Sequence, residues 1–314
     1  MDTTYCLHPV VTRFGVFPCG KCPVCRMKYR KQMALRIYME KCIEKPVYSY
    51  FMTLTYNDEN IPTYNDRKCF NKEHLTTFFD SLRHSLRSRG YSLRYFLTCE
   101  YGEEGYRPHY HFLALLYGLD GKRERFLRHS FNHLCQTLWQ FGYTYDGTIT
   151  PYSILYCTAY ALKDDEYLER DWQGFEPGKP FRLFSNRPGL GLTDTCINWW
   201  TDYVYNDGSI RTGIHVPLQR GNLSSGVPTG VKRKISVSYP DIYEKLLVAN
   251  SEYLESSRDK LLENVQKYGC SRDYTSSTGT TLFNHVFDST PDEEIKAFRK
   301  ALRQLGKSQR NPLK

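Results

Sequence analysis

The sequence predicts an α+β fold with a central antiparallel sheet and flanking helices. Three observations carry that expectation. Tyr48–Tyr56, Leu93–Glu100 and His109–Tyr117 are short runs rich in aromatic and β-branched residues, which suit strands. The last two are joined by the Gly-containing turn Tyr101–Pro108 and therefore read as a hairpin. The intervening segments repeat apolar residues at helical spacing, and hairpin strands mixed with helices describe an α+β layer rather than a parallel βαβ sheet.

Taken in order, Arg26–Cys42 is predicted helical, with Tyr29, Met33 and Ile37, flanked by Ala34 and Tyr38, as its apolar stripe. Its other face is basic. The strand Tyr48–Tyr56 ends at Asn57-Asp58. Asn71 caps a helix in which Leu75, Phe78, Phe79, Leu82 and Leu86 share one face, and Gly90 stops it. After the hairpin, Arg123–Trp139 is helical with Phe126, Leu127, Phe131, Leu134 and Leu138 inward. Thr150-Pro151 places a cap and a first-turn proline at the start of a helix reaching about Lys163. Beyond Asn206, Gly and Ser accumulate and predict a loop-rich passage. One helix over Tyr239–Tyr268, with Ile242, Leu246, Leu261, Leu262 and Val265 as its apolar members, and another over Asp292–Leu305 follow, before a basic, fraying tail from Gly306. The expected domains are a basic, Cys-containing N-terminal segment and helix (1–47), a central domain (48–205) and a loop-rich, helical C-terminal extension (206–314).

With 314 residues, 40% hydrophobic and 25% charged, the chain is long enough for a real core and too apolar to be mainly disordered. Its longest apolar run, Phe112–Leu119, is far short of the ~18 residues of a membrane span. The start lacks a basic segment followed by an apolar one, so no secretory signal is expected. The net charge of +9 suits a polyanionic partner. Eleven cysteines without an export signal suit reduced thiols in a cytosol.

Two constellations carry chemistry. His109-Tyr110-His111 puts two imidazoles on one strand face, because side chains alternate with period two. Glu100 ends the partner strand and can lie opposite His109, whereas Glu103 and Glu104 sit in the turn and are less fixed. Two His and a carboxylate suit a catalytic divalent ion, although a pair of solvent-facing histidines reads the same in sequence. Tyr156, Tyr160 and Lys163 fall within a ~60° wedge of one helix face. Leu155, Ala159 and Leu162 form a separate stripe suited to packing. A phenol ionises near pH ~10, so a tyrosine nucleophile needs a cation such as Lys163 nearby. The bland alternative is an aromatic ladder in a chain holding 26 tyrosines. Separately, Cys19-x-x-Cys22-x-x-Cys25 offers three thiolates to Zn²⁺, with a fourth ligand from Cys6 or His8. Structural zinc usually shows two separated Cys pairs, so buried packing thiols are the competing reading.

In sequence order, five motifs bear on identity. They are Pro18-Cys19-Gly20-Lys21-Cys22-Pro23-Val24-Cys25-Arg26, Phe51-Met52-Thr53-Leu54-Thr55-Tyr56, and Glu100-Tyr101-Gly102-Glu103 through Arg107-Pro108-His109-Tyr110-His111. Trp139-Gln140-Phe141-Gly142 then precedes the tyrosine helix, and Asn186-Arg187-Pro188-Gly189-Leu190-Gly191 follows it. Over roughly residues 18–200 this order resembles the HUH endonucleases, and especially the replication initiation proteins of microviruses of the gokushovirus branch. The resemblance implies a central antiparallel sheet of the rolling-circle initiator type, with the metal hairpin at its middle. It implies Mg²⁺ or Mn²⁺ on His109, His111 and Glu100, with Tyr156 and Tyr160 as nucleophiles and Lys163 beside them. Tyr160, which shares its spacing to Lys163 with single-tyrosine relatives, is expected to make the first nick. The implied substrate is single-stranded origin DNA, cleaved to a 5′-phosphotyrosine and a 3′-OH primer, with a host helicase and polymerase as partners in a bacterial cytoplasm. Arg107, Arg187, Lys28, Arg30 and Lys31 are the expected DNA-backbone contacts. A plasmid-type single-tyrosine initiator or relaxase, a non-catalytic single-stranded DNA-binding protein and a metal-dependent hydrolase using water are the competing classes.

Overall fold

The computed structural model describes residues 5–6, 8–12, 15–20, 22–102, 105–119, 128–168, 176–218 and 222–268; side chains within 160–168 lie outside this description. The chain divides into two compact units, one from the described parts of Met1–Met33 and Trp200–Lys314, the other from Ala34–Trp199.

The first unit opens with a small hairpin, β1 (Val10–Thr12) and β2 (Gly15–Phe17), followed by the start of α1 (Pro23–Ile43). The second unit carries the rest of α1, then β3 (Tyr48–Tyr56), the minor hairpin β4 (Thr63–Tyr64) and β5 (Arg67–Lys68), and α2 (Lys72–Ser88). It continues with β6 (Tyr91–Tyr101), β7 (Pro108–Gly118), α3 (Arg128–Leu138), β8 (Gly142–Thr148), α4 (Pro151–Leu168) and β9 (Arg182–Phe184). α5 (Asp194–Val204) leads back into the first unit, which holds β10 (Tyr205–Asn206), β11 (Ser209–Ile210), β12 (Gly213–Pro217) and β13 (Asn222–Gly226). Helices α6 (Thr229–Ser238), α7 (Pro240–Ala249) and α8 (Ser251–Tyr268) complete it. Among the described residues no helix is long and apolar enough to cross a membrane.

The second unit is built on a five-stranded sheet in the order β8-β3-β7-β6-β9, antiparallel throughout. Thus the fold is α+β, and the His-bearing strand β7 is the middle strand. One face presents Met52, Leu54, Leu97, Tyr110 and Phe112 to α2 and α3, whose Phe78, Phe79, Leu82 and Phe131 complete a continuous core. α2 forms as its sequence dictates. The Asn71 side chain accepts from the Glu73 and His74 amides, and Leu75, Phe78, Phe79, Leu82 and Leu86 are all buried. The core closes around polar atoms that find partners: Trp139 donates its indole N–H to the Thr55 carbonyl at 3.0 Å, and the Tyr56 and Tyr110 hydroxyls meet at 3.0 Å.

Several expectations change on folding. Tyr29 is exposed rather than part of the α1 stripe, and burial instead concentrates at Met33, Ala34, Leu35, Ile37, Met39 and Glu40. The segment expected as one helix over Tyr239–Tyr268 is two helices, α7 and α8. Asn250 closes the first, its amide N–H reaching the carbonyls of Leu246 and Leu247. α6 occupies part of the Gly- and Ser-rich passage. Strands β8 and β9 and helix α5 carry no sequence expectation. β8 buries only Thr144, so it shows little apolar alternation. The Arg123–Trp139 helix is found from Arg128 onward; its first turn and the helix Asp292–Leu305 lie outside the described residues.

The Asn186–Gly191 segment is held by an ion-pair network. Arg94 on β6 donates through Nη2 to Glu40 Oε2 at 3.0 Å and through Nε to the other oxygen, while its Nη1 reaches the Pro188 carbonyl at 3.1 Å. Glu40 is fully buried and also accepts from the Gly191 amide and the Tyr117 hydroxyl. Gly191 has φ +66°, and a Cβ there would fall 2.5 Å from the Arg36 carbonyl oxygen, so only glycine fits. Glu40→Ala leaves Arg94 largely buried without its anion, and we expect a loss of about 3–5 kcal/mol in urea unfolding. A loss below about 1 kcal/mol would place that network among merely solvated pairs.

Candidate active site

The hairpin sets the metal-ligating side chains on the sheet face opposite the α2–α3 core. Register pairs Glu100 with His109 directly and Thr98 with His111. On the other side of β7, Thr53 opposes His111 and Thr55 opposes His109. Directly opposed residues share a face, so Glu100, His109, His111, Thr53 and Thr55 form one patch.

Hydrogen bonds orient both imidazoles. His109 Nδ1 lies 2.7 Å from the Arg107 carbonyl, which can only accept, so Nδ1 carries the proton and Nε2 the lone pair. Burial pushes the His109 imidazole toward its neutral form. Gly102 lies under this ring: a Cβ there would sit 2.9 Å from His109 Cε1. His111 Nε2 lies 2.9 Å from Glu100 Oε1, and its Nδ1 lies 2.8 Å from the Thr53 hydroxyl. Glu100 therefore bonds to the diagonal histidine rather than to the one it directly opposes. The 2.9 Å separation matches the ~3 Å between adjacent ligand atoms on an ion with bonds of ~2.1 Å. The Thr53 hydroxyl can donate or accept, so it holds either tautomer of His111. The two histidines and Glu100 thus suit a divalent ion.

α4 delivers a tyrosine to the same patch. Its buried residues are Ile154, Cys157 and Thr158, not the Leu155–Ala159–Leu162 stripe expected from sequence. Leu155 is only half-buried. Seating Ile154 and Cys157 on the sheet turns Tyr156 to the flank. There its hydroxyl lies 3.4 Å from Glu100 Oε1, and its ring meets His111 edge-on at 5.4 Å. Phe51 stacks on the other side of His111, with ring centroids 5.6 Å apart. Tyr160 and Lys163 follow on the same helix, and their side chains lie outside the described residues.

Two cross-strand rows run through the patch. One is Tyr145–Thr53–His111–Thr98–Arg182, spanning all five strands; the other is Tyr143–Thr55–His109–Glu100. Tyr143 and Tyr145 are 56% and 60% exposed, so the edge strand presents two open aromatic rings on the face of the His pair. Sequence reasoning missed Thr53, Tyr143, Tyr145 and Arg182 as site residues. The alternation Tyr143-Thr144-Tyr145 was the available signal, since it matches strand propensity.

Comparison with known proteins bears directly on this arrangement. Residues 49–165 match the family of the replication-associated protein ORF2. That span runs from β3 into α4 and so contains Thr53, Glu100, both histidines and Tyr156. Replication-associated protein ORF2 of Spiroplasma virus 4 is 25% identical over 273 residues, covering 83% of this chain and 80% of that protein. Replication-associated protein VP4 of Bdellovibrio phage phiMH2K is 31% identical over 158 residues, covering 47% of this chain and 48% of that protein. These similarities support a microvirus-like replication initiator. No solved structure matches the chain.

The basic residues singled out in sequence are placed differently from one another. Lys28 and Lys31 are exposed on α1 and Arg187 is exposed after β9. Arg30 is buried, 7% exposed, and burial pushes its guanidinium down to about 10, so it does not offer a surface charge. Arg107 donates to the Tyr56 carbonyl at 2.8 Å and to the Asp58 carboxylate, tying the hairpin turn to the end of β3.

In the first unit, Cys19, Cys22 and Cys25 are joined by Cys6, and their sulfurs all lie within 4.8 Å of one another. None of the described cysteines is in a disulfide. This four-cysteine cluster can hold a metal such as zinc.

Proposed function

We propose that this protein is a rolling-circle DNA replication initiator whose nicking domain, residues 48–205, cuts and rejoins single-stranded origin DNA through a tyrosine nucleophile. The observation that carries this reading is the convergence of His111, Glu100 and the Tyr156 hydroxyl within hydrogen-bonding range, on the face where His109 also lies. Mg²⁺ or Mn²⁺ held by His109, His111 and Glu100 supplies a Lewis acid to a scissile phosphate oxygen. Thr53 and the Arg107 carbonyl hold the two rings in place for that role. A tyrosine oxygen bonds to phosphorus as the bond to the 3′ oxygen breaks. The phenolic proton is lost and the departing oxygen ends as a 3′-OH. Lys163, on the same helix as Tyr156 and Tyr160, is assigned to the scissile phosphate. The exchange conserves one phosphoester, so joining is its reverse with a new 3′-OH, and a second tyrosine allows the two events to alternate. A host polymerase extends the 3′-OH behind a host helicase.

Incubation with single-stranded origin DNA and Mn²⁺ or Mg²⁺, followed by a denaturing gel, tests this. A covalent protein–DNA band and a free 3′-OH product are expected. Cleavage without a covalent band would point to water as nucleophile, and binding without cleavage to a passive single-strand binder.

Tyr143 and Tyr145 are assigned to base stacking along the strand that enters the site, with Arg182 meeting backbone at the far edge of the same sheet face. Stacking contributes about 1–3 kcal/mol per base. Replacing both tyrosines with alanine should therefore weaken single-strand affinity at least ~10-fold, measured by fluorescence anisotropy. The slope of affinity against salt should stay the same, because no phosphate contact is removed. An unchanged affinity would remove the edge strand from the DNA path.

A further inference from the structure

We propose that Cys6, Cys19, Cys22 and Cys25 form a closed structural zinc centre that staples the N-terminal segment and its hairpin to helix α8, so that this part of the protein is metal-dependent for its fold. The argument starts from geometry. Four Zn–S bonds of about 2.3 Å in a tetrahedron set the sulfurs about 3.8 Å apart. Cys6 and Cys22 Sγ are 3.7 Å apart, and the four sulfurs lie within 4.8 Å of one another. Four thiolates complete a tetrahedron and leave no position for water or substrate, which marks a structural rather than a catalytic ion.

The surroundings are those a thiolate cluster needs. The Cys19 amide donates to Cys6 Sγ at 3.2 Å and the Cys22 amide to Cys19 Sγ at 3.2 Å. Cys22 and Cys25 stand at the start of the 21-residue helix α1, whose N-terminal dipole favours negative charge. Gly20 adopts φ +73° between the first two ligands of the motif, allowing the tight turn. Hydrogen bonding from the Cys22 side chain pulls Cys19 toward thiolate. On binding, the ion replaces the thiol protons, which pass to solvent.

The fourth ligand is Cys6 and not His8. His8 is buried nearby, but the group whose donor atoms converge consists of the four cysteines. Cys6 also carries the link to the distant end of the chain. Asn264 on α8 donates to the Cys6 carbonyl at 2.7 Å, and Leu261 packs with Cys6, Cys19, Cys22 and Val24. The ion would therefore fix a contact 258 residues apart in sequence, which a cluster this small and poor in aliphatic residues would hold weakly by packing alone.

The test uses the full chain, purified under reducing conditions, and reads metal rather than nuclease activity. A failure here therefore leaves the nicking assignment untouched, and the reverse holds. Native mass spectrometry should find one zinc per chain. Exchange with Co²⁺ should give the sulfur-to-cobalt charge-transfer and visible bands of a tetrahedral thiolate site. Cys6→Ser should lose the metal, His8→Ala should keep it, and Cys42→Ser, at an exposed position on α1, should also keep it. Stripping the metal should make the N-terminal segment and α8 protease-sensitive. Wild-type chain that is folded by circular dichroism yet binds no zinc or Co²⁺ would overturn the proposal, whatever the variants do. Metal retained by Cys6→Ser and lost by His8→Ala would overturn the ligand assignment.

Discussion

His111→Ala should abolish cleavage of single-stranded origin DNA, by at least about 10³-fold in single-turnover rate, equivalent to ~4 kcal/mol of transition-state stabilisation. His111 is central to the site. It lies in the middle strand, bonds Glu100 at 2.9 Å and Thr53 at 2.8 Å, and is flanked by the rings of Phe51 and Tyr156. Removing it takes away one donor and frees Glu100 from its orientation. His109→Ala should have a similar effect, and Glu100→Gln should also cut the rate steeply by replacing an anionic donor with a neutral amide. Single-strand affinity should stay within about threefold for all three, because the stacking and backbone contacts assigned above lie elsewhere. Thr53→Val tests the outer layer. It keeps the shape and loses the hydroxyl, so the Mn²⁺ concentration for half-maximal cleavage should rise about 10–100-fold while the saturated rate changes little. Wild-type cleavage that persists in excess chelator would sink the metal assignment.

The largest qualitative effect belongs to the tyrosines. The double variant Tyr156→Phe with Tyr160→Phe should form no covalent adduct with DNA, because phenylalanine keeps the ring and removes only the nucleophilic oxygen. Tyr156 places its hydroxyl 3.4 Å from Glu100, beside the histidines. Tyr160 follows one helical turn later, and its spacing to Lys163 leads us to assign it the first nick. Tyr160→Phe should then cut nicking about 10²-fold or more, and Tyr156→Phe should spare a first nick but block circle closure. Mass spectrometry of the trapped peptide locates the linked residue. Loss of the first adduct in Tyr156→Phe alone would reverse the order of use. A covalent adduct in the double variant would show that another tyrosine is the nucleophile.

Much of this site could be read before folding because its signals are local. Period-two alternation put His109 and His111 on one face, and the hairpin turn put Glu100 opposite His109, as the register has it. The Asn71 cap and five apolar residues specified α2 and its buried face. Such features depend on backbone geometry within one or two elements, so the order of residues is enough to specify them.

Other features emerge only when distant elements meet. Glu100 bonds His111 across the diagonal because Tyr156 and the Thr53 hydroxyl shape the pocket from α4 and β3. The face of α4 that packs was set by the fit of Ile154 and Cys157 to the sheet, not by the more apolar-looking stripe. Arg30 lies on a helix that is basic in sequence, yet it is buried while Lys28 and Lys31 are exposed. Edge strands β8 and β9 are short and largely exposed, so they leave no apolar period to detect. Cys6 joins three cysteines that lie 13 to 19 residues away through chain reversal at the β1–β2 hairpin. Each of these outcomes depends on which distant surfaces pack together. That choice is made by collective packing and partner satisfaction over the whole chain, which no local pattern encodes.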